Sequence, residues 1–365
     1  MSSYIKKILP FTIPTITTLP GYANILAILE SYEKVKPWIY SHYIKTCVVE
    51  ITNRTVDDID SVYYTFFNDF DDRAYFNAWN SNSFFQTKWC PFLEIYDIPY
   101  EVLTKSQYPL ISFIKDSIDS NHYVFSLVDV SKINEYGSEK TFYHDFFIYG
   151  YDYDKKQIYF ADFPNNPSSK YGCSKCTYDE YENAFYSYMK NSVWMNLRRV
   201  ILLNVNDNEY DLNYTYIQNN IQEYLYPQSN TARTFEEYLN SDCFYKEREK
   251  KVYLGNQVYQ FFAQFFQDEI NLGKSHIDHR FYHALCDHKE MMLKRIKYLY
   301  ERNYISAERF KYYPEYEIIR DNALAVRNLV LKYNLSKNIS TLNRIPEILT
   351  SMKEHEFEVL NKIFL

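Results

Sequence analysis

Residues 143–163, YHDFFIYGYDYDKKQIYFADF, constrain the fold more than any other stretch of the chain. Phe146–Tyr151 and Gln157–Asp162 are rich in aromatic and β-branched residues, which is typical of β-strands. The segment between them, Asp152–Lys156, is polar and follows Gly150, as expected for a turn. The stretch therefore predicts one β-hairpin.

The hairpin brings a histidine and an aspartate towards one another. Folding about Asp154 makes Asp162 face Phe146. His144 then lies two residues further along on the same face, within diagonal hydrogen-bonding reach. A base oriented by a carboxylate is two thirds of a nucleophilic triad, so we predict His144 and Asp162 as catalytic residues. The alternative is a surface histidine and an aspartate near the turn that never meet.

Charge and glycine content exclude several functions. The net charge of −7 argues against a nucleic-acid surface, which needs a basic stripe. The short basic run Lys246–Lys251, KEREKK, contains glutamates and predicts a solvated helix face. Only six glycines occur, and neither GxGxxG nor GxxxxGK[ST] is present, so nucleotide binding through those loops is excluded. No cofactor is predicted.

The N-terminal segment and the cysteines predict the cellular compartment of the protein. The N-terminal segment is interrupted by prolines and has no apolar core of the length that a secretory signal needs. No window approaches the about eighteen apolar residues of a membrane span. The six cysteines are scattered, so we expect reduced thiols and a cytoplasmic protein without membrane contact.

The pattern of periodicity changes at about residue 206. Residues 1–206 mix helices and strands and predict an α+β domain, whereas residues 234–365 predict an all-α module. Residues 207–233 are the predicted linker, with the polar segment Pro227–Arg233 as its best candidate. After residue 207 the periodicity predicts helices at 214–224, 253–270, 281–303, 316–333 and 345–364.

These features resemble a known superfamily. A helix after a short extended N-terminal segment, then a strand beginning at His144 and one ending at Asp162, is similar to papain-like cysteine peptidases. The nearest groups are the bacteriocin-leader peptidases and the N-terminal domain of the butirosin biosynthesis protein H family. The resemblance covers roughly the first 205 residues and implies a papain-like fold with a central antiparallel sheet. The helical region after it resembles the second part of butirosin H-type proteins in size and placement.

The resemblance also shows what this chain lacks. Such families carry a cysteine nucleophile at the start of the first helix, where this chain has Gly21, Tyr22, Ala23 and Asn24. The register of the apolar helix places the nucleophile at Gly21, with Ala23 as the second choice. Three explanations remain open: a natural pseudoenzyme, a deliberate inactivating substitution at Ala23, or noncovalent catalysis with His144 as general base. Tyr22 is a poor nucleophile because an unperturbed phenol has a pKa of about 10.

Two groups of residues that contain cysteine are candidates for metal binding. Cys173 and Cys176 form a lone CxxC without the four ligands of a structural zinc site. His279, His283 and Cys286 would share one face of a helix, a spacing that could ligate zinc, copper or nickel. The interspersed Asp278, Arg280 and Asp287 favour a polar helix face instead, so these three residues are weak candidates and no metal is predicted.

By resemblance, the expected function is amide-forming acyl transfer in natural-product or antibiotic biosynthesis. An acyl or peptidyl carrier protein would deliver a thioester to an amine substrate, with Gly21 to Asn24 forming the nucleophile and oxyanion corner. The alternatives are a non-catalytic scaffold that binds a carrier protein or peptide, and a cysteine peptidase or amide hydrolase. Tyr259–Phe266, YQFFAQFF, is apolar on nearly all sides and is expected to pack between the modules or at a homodimer interface.

Overall fold

A computed structural model describes residues 5–53, 58–67, 90–164, 170–192, 198–227, 249–271 and 276–365. The fold is α+β, with a central antiparallel sheet and a helical C-terminal region. Within the described ranges the chain forms two compact units. The first unit contains residues 5–36 and 90–210, and the second contains residues 37–67 and 211–365.

The elements are numbered along the chain. The strands are β1 (Lys6–Ile8), β2 (Lys45–Asn53), β3 (Asp58–Phe67), β4 (Leu93–Pro99), β5 (Tyr123–Asp129), β6 (Tyr143–Asp152), β7 (Gln157–Asp162), β8 (Gly172–Thr177), β9 (Arg199–Val205) and β10 (Glu249–Leu254). The α-helices are α1 (Pro20–Leu29), α2 (Lys36–Ser41), α3 (Tyr100–Lys105), α4 (Leu110–Asp119), α5 (Tyr178–Asn191), α6 (Tyr214–Leu225), α7 (Val258–Asn271), α8 (Arg280–Glu301), α9 (Ala307–Phe310), α10 (Tyr313–Ser336) and α11 (Ile345–Phe364).

The first unit is built on a seven-stranded antiparallel sheet. Its strand order is β4-β9-β5-β6-β7-β8, with β1 paired to the far end of β6. Every residue of β5 is buried, because the strand lies inside the sheet and both of its faces are covered. Helix α5 packs against β5 and starts in a capping box between Thr177 and Glu180. Helix α1 packs against β6 and β7.

The predicted hairpin is present as β6 and β7, and Gly150 has a specific role in it. A Cβ atom at Gly150 would lie 2.7 Å from the carbonyl oxygen of Lys7, so only glycine lets β1 approach β6 this closely. The pairing shifts by one residue between Ile148 and Gly150, which leaves Tyr149 as a bulge. The turn follows Asp152, whose side chain accepts a hydrogen bond from the backbone of Lys155.

The second unit combines a three-stranded sheet with helices. The sheet has the order β10-β2-β3, and both pairings are antiparallel. The predicted helices at 214–224, 281–303, 316–333 and 345–364 are confirmed within a few residues. Met292, Ile296 and Leu299 are fully buried on α8, as expected for a helix whose apolar stripe faces a bundle core.

Several predicted boundaries of the two domains are wrong. The second unit is not all-α, because Glu249–Leu254 forms a strand where the basic run predicted a solvated helix. Residues 37–67 also belong to this unit rather than to a domain spanning 1–206, since β2 pairs with β10 across about two hundred residues of sequence. Local periodicity identifies a strand but not its distant partner.

The predicted linker and the aromatic stretch also differ from expectation. Residues 214–225 of the 207–233 linker form helix α6, and residues 228–233 lie outside the described residues. The large side chains of Tyr259–Phe266 belong to the core of the second unit itself. Within the described ranges, no helix combines the length and the apolarity needed to cross a membrane.

Candidate active site

The hairpin register brings His144 and Asp162 together as predicted. Phe147 pairs with Ala161, so Asp162 lies opposite Phe146 at the end of β7. Nδ1 of His144 donates a hydrogen bond of 2.8 Å to Oδ2 of Asp162. The alternative of two side chains that never meet is therefore wrong, while their catalytic role stays a prediction.

The imidazole of His144 is held in one orientation with one nitrogen available. Asp162 is 1% exposed, whereas the side chain of His144 is 24% exposed. Because Asp162 engages Nδ1, the ring presents Nε2, which has no hydrogen-bond partner among the described residues. A histidine oriented in this way by a carboxylate is the geometry of an acid–base catalyst.

The carboxylate also decides the charge of the imidazole. Burial opposes protonation of His144, but the negative charge and hydrogen bond of Asp162 outweigh it and raise the pKa of His144 to about 9. The imidazole is therefore a cation at neutral pH. Burial raises the pKa of the neighbouring Asp145 to about 6, against the opposing effect of His144.

Tyr136 is a third member of the site that the sequence did not reveal. It ends a short 3-10 turn, Asn134–Tyr136, and its hydroxyl donates a hydrogen bond to Oδ2 of Asp162. Its ring stacks on Phe160, with centroids 6.0 Å apart and planes at 10°. Burial and the charge of Asp162 raise the pKa of Tyr136 well above its ordinary value, so it remains a donor. Nothing local distinguishes this residue among forty tyrosines.

The predicted corner, Gly21 to Asn24, occupies the first turns of α1. The helix begins without a side-chain cap, with Leu19 at the N-cap position and Pro20 at its first turn. A Cβ atom built at Gly21 meets nothing within 4 Å. Ala23, by contrast, is fully buried, and Tyr22 is buried as well.

The corner lies at the same end of the sheet as the dyad. The hydroxyl of Tyr171 donates a hydrogen bond of 2.8 Å to Oδ1 of the buried Asn24. Tyr171 directly precedes Gly172, which is paired with Asp162. Burial, and next the charge of Asp162, raise the pKa of Tyr171 well above its ordinary value. Of the two predicted nucleophile positions, Gly21 is the one with room for a side chain.

None of the five cysteines that the structure describes lies at the start of α1, where the nucleophile is expected. Cys47, Cys90 and Cys286 are buried, as expected for core residues. On β8, Cys173 is exposed and Cys176 is buried, because residues three apart on a strand point to opposite faces. Their side chains therefore do not form a chelating pair.

The weak metal candidates are not assembled into a ligand set. His279 lies at the N-cap of α8, and Cys286 is buried further along the helix. Nη1 of Arg327 donates to Nδ1 of His283 at 3.2 Å, so one of the two ring nitrogens that could bind a metal is already engaged by a cationic side chain. Burial and then Arg327 lower the pKa of His283 to about 4. Among the described residues, no three His, Cys, Asp or Glu side chains are grouped so as to hold a metal ion.

No protein-family model matches the chain, and no curated protein is significantly similar to it in sequence.

Proposed function

We propose that this protein transfers an acyl group from a carrier-protein thioester to an amine, forming an amide in natural-product biosynthesis. The observation that carries the proposal is the 2.8 Å hydrogen bond between His144 and Asp162, which presents the imidazole Nε2 to a substrate. A papain-like architecture for the first unit is part of the proposal. It is supported by the chain order of a first helix, a histidine strand and an aspartate strand.

The absence of a side chain at Gly21 favours a single displacement without an acyl-enzyme. The amine nitrogen attacks the thioester carbonyl carbon, and a C–N bond forms. The C–S bond then breaks, and the carrier thiol departs. The nitrogen loses one proton and the sulfur gains one, so a thioester and an amine become an amide and a thiol.

The raised pKa gives His144 the role of acid before that of base. With a pKa of about 9, the imidazole is a cation at pH 7, and its neutral form is only roughly 1% of the population. Nε2 can therefore donate its proton to the leaving sulfur and recover one from the amine nitrogen. Asp162 keeps the imidazolium oriented throughout. The general-base role expected from the sequence applies only to the second half of this exchange.

The test is turnover of a small thioester. We would follow hexanoyl-N-acetylcysteamine with hydroxylamine, which is an unprotonated amine at neutral pH, and compare wild type with His144→Gln. The expected loss is about 10²–10⁴-fold, the usual contribution of general acid–base catalysis. His122→Gln, whose ring contacts Tyr96 elsewhere in the unit, is the matched control and should keep full activity. Equal turnover in His144→Gln and wild type would overturn the proposal.

A scaffold function is the second candidate, and Gly21 is the observation that favours it. A protein that only binds a carrier protein needs no nucleophile and can lose the cysteine freely. Such a protein would bind an acylated carrier protein but would yield no amide above the uncatalysed rate with any amine. Binding measured by calorimetry beside the turnover assay therefore separates the two candidates.

A further inference from the structure

Phe142 is an exposed aromatic residue at the dyad that the catalytic proposal does not use. It precedes His144 by two residues and is 51% exposed. Its ring stacks on the imidazole, with centroids 5.5 Å apart and planes at 28°. Leaving a phenylalanine half exposed to water is unfavourable relative to burying it, because full burial of such a side chain contributes about 1.5–3 kcal/mol. The ring is therefore available to any apolar group that approaches His144.

The fold fixes the backbone of Phe142 on both sides. Its N–H donates to Oδ1 of Asp129 at 3.3 Å, and its carbonyl oxygen accepts from the N–H of Val130 at 2.9 Å. Asp129 is itself buried and also accepts hydrogen bonds from Ser131 and Ser187. Burial works against its ionisation, but these donors keep the pKa of Asp129 below its usual value. A buried carboxylate thus holds an exposed aromatic residue in place.

The other end of the dyad is also flanked by an aromatic residue. Phe163 directly follows Asp162 and is partly buried. Its ring meets that of Tyr171 edge to face, with centroids 5.4 Å apart. An aromatic residue therefore lies two positions before His144 and another directly after Asp162, and aromatic side chains are a usual lining of small-molecule sites.

We infer that Phe142 forms a subsite for an apolar acyl group, and so selects thioesters with aliphatic or aromatic chains. The inference rests on the proposed function. The atom that must lie nearest Nε2 of His144 is the departing sulfur, and the acyl chain is attached to the same carbonyl carbon. A chain extending over the stacked ring covers apolar surface that is otherwise in water. Because the backbone of Phe142 is held on both sides and its ring already stacks on the imidazole, the contact costs little ordering of the side chain.

The experiment measures kcat/KM for a series of N-acetylcysteamine thioesters with hydroxylamine. The series is acetyl, butyryl, hexanoyl and benzoyl, and the enzymes are wild type, Phe142→Ala and Phe142→Tyr. Phe142→Ala should lose about tenfold with hexanoyl and benzoyl groups, as expected for lost apolar contacts in a pocket, and less than about twofold with acetyl. Phe142→Tyr keeps the ring and should retain the wild-type order. An equal loss with all four acyl groups would overturn the subsite, because it would show that the ring acts only on the imidazole.

A binding measurement separates this inference from the proposed function. The probe is the hexanoyl amide analogue of the thioester, in which nitrogen replaces the sulfur and the bond is not cleaved. Weaker binding of this probe to Phe142→Ala than to wild type, by about tenfold, supports the subsite even if no thioester is turned over. If Phe142→Ala turns over all four thioesters and binds the probe as tightly as wild type does, the subsite is overturned and the proposed function stands. Phe142 is half exposed, so the variant should fold normally.

Discussion

Each of the two units contains an ionic cluster around a buried carboxylate, and the two clusters differ in whether a ligand can reach them. In the first unit, Asp162 binds His144, whose ring remains 24% exposed with one nitrogen open among the described residues. In the second unit, Nζ of Lys289 lies 2.8 Å from Glu356, and the side chains are 0% and 1% exposed. The first pair can still meet a ligand, and the second cannot.

The cluster of the second unit is saturated by its own side chains. Lys289 donates to both oxygens of Glu356 at 2.8 Å and to Nδ1 of His288 at 2.9 Å. Nε2 of His288 donates to the carbonyl oxygen of Ile44. The hydroxyls that donate to Glu356 are those of Tyr224, Tyr259 and Tyr316. A buried charge pair with every partner supplied specifies a fold rather than a reaction.

The two histidines show the same difference in their protonation. Burial opposes the proton on His144, but Asp162 raises its pKa to about 9. Burial also opposes the proton on His288, and the adjacent Lys289 adds to that effect, so its pKa falls to about 3. An imidazole with a carboxylate partner is a cation at neutral pH, and one beside an ammonium is neutral. The comparison therefore favours a structural role for His288 and leaves His144 as the histidine on which the proposed chemistry rests.

The largest expected effect tests the structural half of this comparison. Lys289→Met leaves Glu356 buried without its counter-charge and should reduce the free energy of unfolding by about 3–5 kcal/mol in urea titrations of the full chain. The matched control lies on the same helix: Lys297→Met removes an exposed pair with Glu301 and should cost less than about 1 kcal/mol. Similar losses in both variants would mean that the buried cluster is not structural.

The pH dependence of stability should separate the two histidines. The native pKa of His144 lies above the ordinary value of about 6.5, so its contribution is complete below that pH, and it is lost as the pH rises through about 9. His144→Gln should abolish this loss. The native pKa of His288 lies below the ordinary value, so stability should fall as the pH decreases from about 6.5, towards the native pKa of about 3. NMR titration of the imidazole protons gives both pKa values directly, and equal values would contradict the comparison.

An introduced thiol can test whether the helix start and the dyad form one site. Gly21→Cys fills an open position at the start of α1. An imidazolium and a helix N-terminus both lower a thiol pKa, so iodoacetamide should label this thiol at pH 6 at least about tenfold faster than an ordinary one. The exposed Cys173 is the internal reference, with peptide masses as the readout.

Two controls complete the labelling experiment. Ala23→Cys places the thiol at a fully buried position of the same helix and should react slowly. Adding His144→Gln to Gly21→Cys should remove the acceleration. If the introduced thiol reacts no faster than Cys173, and His144→Gln has no effect, the papain-like architecture is wrong.

The smallest expected effect concerns Tyr136. Tyr136→Phe removes a hydrogen bond to the buried Asp162 and should cost about 1–2 kcal/mol of stability. A hydroxyl with only a structural role would affect stability and leave the pKa of His144 unchanged. Because the carboxylate becomes a stronger acceptor, the pKa of His144 should also rise in an NMR titration. Tyr96→Phe is the control, since its hydroxyl binds the exposed Glu94 and its loss should change neither quantity.

The sequence alone determined the hairpin, the dyad and the long C-terminal helices. A strand alternates with a period of two, so a turn centred near Asp154 fixes which residues of β6 and β7 face each other. The residues involved lie within about twenty positions, and local pattern is sufficient for them. Helix α11 was likewise predicted with its observed bounds, because its apolar stripe is regular.

Only the tertiary structure decided what the distant parts of the chain contribute. Three features join residues that lie far apart in the sequence or that show no local pattern. They are the pairing of β2 with β10, the hydrogen bonds of Tyr136 and Tyr171, and the position of Phe142 over the imidazole. The same holds for the difference between the open Gly21 and the buried Ala23. Periodicity shows which face of an element is apolar, but the surface that this face meets depends on packing of the whole unit. The sequence thus identified the two groups of the dyad, and their surroundings in the fold set the charge of His144.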